Sequence, residues 1–172
     1  MRSTKKFDRK LYNRSDPLSN GVMIKWLQRN GYTFIDPKET YGVDITCVKG
    51  DTPAFFETEM KYNWKGDWPS VWQEVRIPYR KSKIVSKWVH DGSVGDLTFV
   101  IFRSDCKQAW FIDGQVVRDS EVIAIDTKYT KNEKFYHIDV NDAHIINMKA
   151  SDLKEARSDK ITDAFINVRY PS

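Results

Sequence analysis

The apolar residues of this chain follow a helical period at first and an alternating period afterwards. A stripe at helical spacing predicts a helix over about residues 17–30, and it consists of Leu18, Val22, Met23, Trp26 and Leu27. The alternation that follows predicts strands at 32–35, 43–48 and 54–62. A turn at 49–51 makes the last two of these strands an antiparallel hairpin.

The second half of the chain contains mostly strand-like segments. The spacing of Val71, Val75, Tyr79 and Ile84 predicts a helix from Pro69, which Pro78 breaks into two pieces. Further strands are predicted at 97–103, 121–125, 134–140 and 144–148, with a hairpin over 109–118 and a closing helix over 151–167. The pattern predicts an α/β (α+β) fold with a β-rich C-terminal half. It forms a single domain over 16–172, after a basic N-terminal arm of residues 1–15.

Composition excludes several classes of protein. The chain has 172 residues, of which 40% are hydrophobic and 13% aromatic, so it can bury a core and is not a disordered chain. No apolar run approaches the roughly 18 residues that a membrane span needs, and the N-terminus lacks the apolar segment of a signal peptide. Cys47 and Cys106 lie in apolar stretches and are expected to be buried free thiols in a cytoplasmic protein. The net charge of +4 is compatible with a nucleic-acid partner but does not require one.

The segment most informative about chemistry is the hairpin of residues 43–62. Alternate residues of a strand share a face, so Glu57, Glu59 and Lys61 project together, and Asp44 lies on the neighbouring strand. Paired carboxylates suit Mg²⁺ or Mn²⁺, and an adjacent lysine can orient or deprotonate a water molecule. These groups are the equipment for metal-assisted phosphodiester hydrolysis. A half-exposed strand without catalytic meaning is the other interpretation of the same pattern.

Asp44 in the sequence GVDI, followed fifteen residues later by Glu59-Met60-Lys61, resembles the motif of the PD-(D/E)XK nuclease superfamily. The chain is most similar in this respect to archaeal-type Holliday junction resolvases and small phage or homing nucleases. The resemblance implies a restriction-endonuclease-like core over about residues 16–105, with a central mixed sheet flanked by helices, and leaves 106–172 as an extension. The core would consist of a helix, a three-stranded antiparallel run, a second helix and a further strand.

The resemblance also assigns roles to residues of the site. It implies that Asp44 and Glu59 bind the metal ion with help from the carbonyl of Met60, and that Lys61 is the catalytic lysine. Gln73, expected on the following helix, resembles a glutamine that some members place beside the site. Glu57 is an extra acid on the same face, either a ligand of a second metal ion or a solvated strand residue.

Two positions depart from the family pattern. Many relatives carry a glutamate on the first helix as a further metal ligand, where this chain has Ser19 and Asn20. Asp16 or Glu39 would have to replace it. The proline that usually precedes the first acid is also absent, since Val43 stands there. These departures leave room for a member that does not cleave.

Basic and aromatic residues supply a candidate nucleic-acid surface. Phosphate contacts are expected from the arm and from the segment after the motif, namely from Lys5, Lys6, Arg9, Lys10, Arg76, Arg80, Lys81 and Lys83. A solvated terminus and a solvated helix face are the alternatives. Trp64, Trp68 and Trp72 recur every four residues, which indicates either a packed helical ladder or a stacking surface for an unpaired base.

The sequence therefore predicts a metal-dependent DNA endonuclease. A homodimer is expected, because cutting two strands needs two sites. The alternatives are a catalytically silent DNA-binding or assembly protein on the same core, and a protein-interaction domain without a nucleic-acid role.

Overall fold

In the computed structural model, which describes residues 9–33 and 39–158, a long helix precedes a β-hairpin. The helix, α1 (Arg9–Arg29), begins upstream of its predicted start at residue 17. The hairpin consists of β1 (Ile45–Lys49) and β2 (Thr52–Lys61), which are antiparallel as predicted. The predicted strand at 32–35 is represented by a single bridge from Thr33 to Val48, since residues 34 and 35 lie outside the described part.

Eleven further elements of the described residues follow the hairpin, including a 3-10 turn at 79–81 and another at 140–142. In chain order the helices and strands are β3 (Glu74–Pro78), α2 (Ser82–His90), β4 (Asp96–Arg103), β5 (Gln108–Asp113), α3 (Gly114–Asp119), β6 (Glu121–Ile125), β7 (Glu133–Asp139), β8 (His144–Asn147) and α4 (Ala150–Ser158).

The strands form two sheets. The main sheet has the order β1-β2-β4-β5-β8, and β4 pairs with β2 in parallel while the other neighbours are antiparallel. The second sheet has the order β3-β7-β6. The predicted α/β class, with a central mixed sheet flanked by helices, is confirmed. The resemblance implies a three-stranded antiparallel run after the first helix, of which the described residues show the hairpin β1–β2 and, for the remaining strand, the antiparallel bridge from Thr33 to Val48. The strand β3 then enters the second sheet before α2 and β4 follow.

The main sheet buries a core on each face, because alternate residues of its central strands point to opposite sides. Phe56 and Phe102 contribute to the core beneath α1 and α4. Phe55 and Phe99 contribute to the other core, which contains α2, α3 and the inner face of the second sheet. Glu57, Glu59 and Lys61 therefore extend from the face of β2 that carries the second sheet.

The predicted helix from Pro69 is wrong over its first part. Residues 62–73 contain neither helix nor strand, and β3 follows. In β3 the buried residues Val75 and Ile77 alternate with Glu74 and Arg76, which is strand periodicity. The helical segment begins only after Pro78, because the proline ring favours extended backbone for the residue before it and a first turn after it.

The predicted hairpin over 109–118 is also wrong. The first strand, β5, is present, but Asp113-Gly114 begins α3 instead of a turn. The Asp113 carboxylate accepts a hydrogen bond from the backbone N–H of Gln115 at 2.8 Å, which is an N-cap contact. The later strands are confirmed, and the closing helix begins at Ala150 and is described as far as Ser158.

Both cysteines are free and buried, as predicted. Burial raises the pKa of the Cys47 thiol to about 12, so this thiol stays protonated and unreactive at neutral pH. Among the described residues, no helix combines the length and the apolar character that crossing a bilayer requires.

Candidate active site

Asp44 lies directly before β1 and contacts the middle of β2. The hairpin register pairs Ile45 with Phe56, so the preceding residue, Asp44, is beside Glu57. The backbone N–H of Asp44 donates to Glu57 Oε1 at 3.2 Å. Asp44 Oδ2 in turn accepts from the backbone N–H of Thr58 at 2.8 Å. The Asp44 carboxylate thus continues the hydrogen bonding of the β2 edge after β1 has ended.

A polar residue of the first helix joins this pair. Thr58 Oγ1 lies 2.7 Å from Asn20 Oδ1 and 3.1 Å from Asp44 Oδ2, within hydrogen-bond distance of both. Asn20, one of the two residues that stand in the helix region where the resemblance implies a glutamate, is thus linked to Asp44 through the Thr58 hydroxyl. Glu39 instead accepts from the backbone N–H groups of the two residues that follow it, and the side chain of Asp16 lies outside the described part.

Glu57 forms a buried ion pair with Lys81. Glu57 is 1% exposed and Lys81 is 6% exposed, and Lys81 Nζ contacts Glu57 Oε2 directly. The prediction that Lys81 belongs to a solvent-facing phosphate surface is wrong. The charge of Glu57 explains the buried position of Lys81, because a buried carboxylate is costly unless a cation and hydrogen-bond donors surround it.

Glu59 and Lys61 continue the same face of β2 toward solvent. Glu59 Oε1 accepts from Arg80 Nη2 at 3.2 Å, an ion pair at the surface. Burial lowers the pKa of the Lys61 ammonium, and the nearby Arg76 lowers it further, whereas Glu59 opposes the shift. Lys61 Nζ lies 5.3 Å from the centre of the Trp72 ring. A lysine with a lowered pKa is more readily neutral, and only the neutral amine can accept a proton.

Two other predicted site residues have different surroundings. The side chain of Met60 is buried in the core beneath α1, on the opposite face of β2, so only its backbone can face the acids. Gln73 is exposed and precedes β3, which corrects its expected position on a helix. Its carbonyl accepts a hydrogen bond from the backbone N–H of Val140 at 3.1 Å.

A groove of about 640 Å³ adjoins Lys61 and lies between residues 62–73 and the outer face of the second sheet. We call it the Trp groove, because Trp68 and Trp72 form part of its wall. The predicted helical ladder of tryptophans is wrong, yet the three rings do pack successively. Trp64 and Trp68 meet edge to face at 5.0 Å between ring centres, and so do Trp68 and Trp72.

The remaining basic residues of the predicted phosphate surface divide into two groups. Arg76, Arg80 and Lys83 are exposed, and Arg80 lies against Glu59 at the rim of the site. Arg9 and Lys10 begin α1, whereas Lys5 and Lys6 lie outside the described residues. Phosphate contacts from these seven residues remain predictions.

Two carboxylates of the hairpin, those of Asp44 and Glu57, suit Mg²⁺ in number and chemistry, whereas a set of three does not occur in the described part. Among the described residues, no three Asp, Glu, His or Cys side chains lie close enough to bind one ion together. Mg²⁺ commonly uses one or two carboxylates and completes its shell with water and substrate phosphate. Asp44 and Glu57 occupy neighbouring positions of the hairpin and supply two such carboxylates, and Glu59 is the next residue on the same face of β2.

Two groups at this site do not follow from local sequence pattern. Lys81 pairs with Glu57 from a separate element, and His137 Nδ1 lies 2.8 Å from Glu74 Oε2 on the outer face of the second sheet. Both contacts join residues that are distant in the chain. The alternation of β7 does indicate that His137 and Asp139 share a face, but not which strand lies beside them.

No protein-family model and no curated protein sequence matches this chain. Among solved structures, the chain aligns with Hjc from Archaeoglobus fulgidus, a Holliday junction resolvase from an archaeal hyperthermophile. The TM-score is 0.43 and the sequence identity is 11%, and the alignment covers 74% of this chain and 85% of that chain.

Proposed function

We propose that this chain is a metal-dependent nuclease that hydrolyses phosphodiester bonds of DNA. The observation that carries the proposal is that Asp44 and Glu57 meet at one point of the hairpin, where the Asp44 backbone N–H donates to Glu57 Oε1 at 3.2 Å and Asp44 Oδ2 accepts from the Thr58 N–H at 2.8 Å. Glu59 and Lys61 extend the same strand face toward solvent, where Arg80 is exposed. Acids for a hard cation, a lysine of lowered pKa and exposed cations for phosphate thus occur within one small region.

Each residue of the region has a distinct role in this proposal. Asp44 and Glu57 would hold Mg²⁺ or Mn²⁺, and the ion would stabilise the charge that develops on the phosphoryl group. Lys81 offsets the negative charge of Glu57 and so weakens its repulsion of the negatively charged Asp44 at the neighbouring position of the hairpin. Lys61, when neutral, accepts the proton of the attacking water, and Arg80 contacts a phosphate of the strand.

A second candidate function has its own support. Each of the three acids already contacts a protein donor or cation, namely Thr58 for Asp44, Lys81 for Glu57 and Arg80 for Glu59. The same contacts would stabilise a core that binds DNA without cleaving it. We therefore keep a catalytically silent DNA-binding protein as the alternative, and a cleavage assay separates the two.

The deciding experiment is cleavage of labelled duplex, single-stranded and four-way-junction DNA with Mg²⁺ or Mn²⁺. We expect metal-dependent cutting of at least one substrate by the wild type, and a loss of about 100-fold to 10,000-fold in Lys61→Ala, since a general base contributes that much. Lys131→Ala is the matched control, because Lys131 is an exposed lysine of the β6–β7 connection, and it should cut normally. If wild type and Lys61→Ala are equally inert but both bind DNA, the silent alternative replaces the nuclease.

The pH dependence of cleavage tests the role of Lys61 separately. The protonated ammonium cannot act as a base, so the wild-type rate should rise about tenfold per pH unit below the Lys61 pKa and level off above it. Because burial lowers that pKa, the plateau should begin below the ordinary lysine value of 10.5. Lys61→Arg keeps the positive charge at every accessible pH and should lose this limb of the profile. A pH–rate profile that is the same in both proteins would exclude Lys61 as the base.

A further inference from the structure

The Trp groove has an apolar edge at Val71, which we call the lip, and a polar base at Glu121, His137 and Asp139, which we call the floor. Val71, on the connection that forms the lip, is 80% exposed although it is a large hydrophobic residue. Trp68 and Trp72 line the wall behind it. The volume of about 640 Å³ falls within the usual range of small-molecule sites, which is roughly 300–1,000 Å³. Aromatic walls of this kind are surfaces on which planar ligands stack.

The floor contains a buried histidine with one unsatisfied nitrogen. The His137 side chain is 6% exposed, and its Nδ1 lies 2.8 Å from Glu74 Oε2. A carboxylate only accepts, so Nδ1 carries the proton and Nε2 presents a lone pair in the neutral ring. Within the described part of the chain, Nε2 is buried and has no hydrogen-bond partner. A buried acceptor of this kind is costly unless a ligand donates to it.

The residues around His137 are also mainly acceptors. Glu121 lies directly opposite His137 in the second sheet, and Asp139 is the next residue on the same face of β7. Both line the groove together with His137. The floor therefore favours a ligand whose edge carries N–H donors, whereas Lys61 and Arg76 place positive charge at the groove.

These features suit a ligand with three parts. It has a planar ring that stacks on the tryptophan wall, an amino group that donates to the floor, and a phosphate that lies near the two cations. We propose that the Trp groove binds one unpaired nucleobase of the nucleic-acid strand, stacked on Trp72 and with an amino-bearing edge toward His137. The Lys61 side chain lies over one face of the Trp72 ring. This side chain is flexible and can move away from the ring toward a phosphate. The inference rests on the proposed function for its ligand class, because Lys61 belongs to both the candidate site and the groove.

Base preference tests the proposal on the unmodified protein. Binding of fluorescent dC12 and dT12 oligonucleotides is measured without divalent metal, so that no cleavage interferes. Cytosine carries an exocyclic amino group, whereas the single N3–H of thymine lies between two carbonyl oxygens that the acceptors of the floor repel. We therefore expect dC12 to bind about 2-fold to 12-fold more tightly, the effect of one hydrogen bond. Equal affinity for the two oligonucleotides would overturn the assignment of the floor.

Substitution of the wall tests the stacking. Trp72→Ala should weaken binding of dC12 by about 5-fold to 150-fold and change the affinity for a paired duplex less than twofold. His137→Phe keeps a ring of similar size without any acceptor, so it should keep most of the affinity but lose the preference for dC12. Tyr129→Ala is the matched control, because Tyr129 is an exposed aromatic residue that does not line the groove, and it should bind like wild type. Thermal unfolding identifies any variant that has lost its fold. In that case the comparison of dC12 with dT12 on the wild-type protein decides whether the proposal stands.

The outcomes distinguish the groove from the nuclease. Base preference and Trp72 dependence without any DNA cleavage would support the groove and refute the proposed hydrolysis. Metal-dependent cleavage with equal binding of dC12 and dT12, and with no effect of Trp72→Ala, would refute the groove and leave the nuclease.

Discussion

Replacing Asp44 with asparagine is expected to reduce metal-dependent DNA cleavage by at least about 100-fold while the protein stays folded. The reason is that asparagine keeps an oxygen that can accept from the Thr58 N–H, now bonded to Asp44 Oδ2 at 2.8 Å. It loses the negative charge, which a hard cation requires and which contributes several kcal/mol in metal-assisted hydrolysis. Initial cleavage rates at saturating Mg²⁺, measured beside urea unfolding curves, check both parts of the prediction.

The matched control for this change is Asp51→Asn. Asp51 is an exposed acid in the turn of the same hairpin, so its substitution removes the same charge without touching the site. Cleavage by Asp51→Asn should equal that of wild type. If Asp44→Asn cuts at the wild-type rate, Asp44 only completes the edge of β2, and its role as a metal ligand is refuted.

The second large effect concerns stability. Lys81→Met is expected to lower the free energy of unfolding by about 3–5 kcal/mol at pH 7, the usual result of removing one partner of a buried ion pair. Methionine is about as long as lysine and fills the same space, so the loss reports mainly the charge left on Glu57, which is 1% exposed. Urea denaturation monitored by tryptophan fluorescence provides the measurement.

Two companion variants make this prediction specific. Lys83→Met, an exposed lysine two residues further on, should change stability by no more than about 0.5 kcal/mol. The double variant Glu57→Gln, Lys81→Met carries no unpaired charge and should recover most of the loss, because neutral replacements of a buried pair are often tolerated. A Lys81→Met protein as stable as wild type would show that the pair contributes little to the fold.

The local part of the site could be predicted from the sequence because it depends on strand periodicity alone. Glu57, Glu59 and Lys61 do share a face of β2. The neighbour of Asp44 on β2 could also be predicted from the turn of the hairpin, since Lys49 pairs with Thr52 across the two residues Gly50 and Asp51. Counting back along both strands from that turn places Asp44 beside Glu57, two residues before Glu59 in the motif.

The rest of the site depends on contacts between distant segments. Glu74 and His137 are 63 positions apart, and no local pattern states that β3 pairs with β7. The segment of β3 is also short, so its apolar residues fit a helical period as well as a strand. The position of Lys81 follows from the same misassignment, because a helix that started at Pro69 would not place it at the end of a 3-10 turn against Glu57.

The connection at 62–73 has a consequence for how such a protein can diversify. Glu57 and Glu59 lie on β2, which β1 and β4 hold on either side, and Asp44 directly precedes β1. Trp68, Val71 and Trp72 instead lie on a stretch without helix or strand. Connections of this kind accept substitutions and length changes far more readily than central strands do. Homologous chains could therefore exchange this one segment and acquire a new ligand preference without rebuilding the acid pair. Engineering of the stacking surface in this fold is best confined to the same segment, whereas the acceptors of the floor lie on β6 and β7.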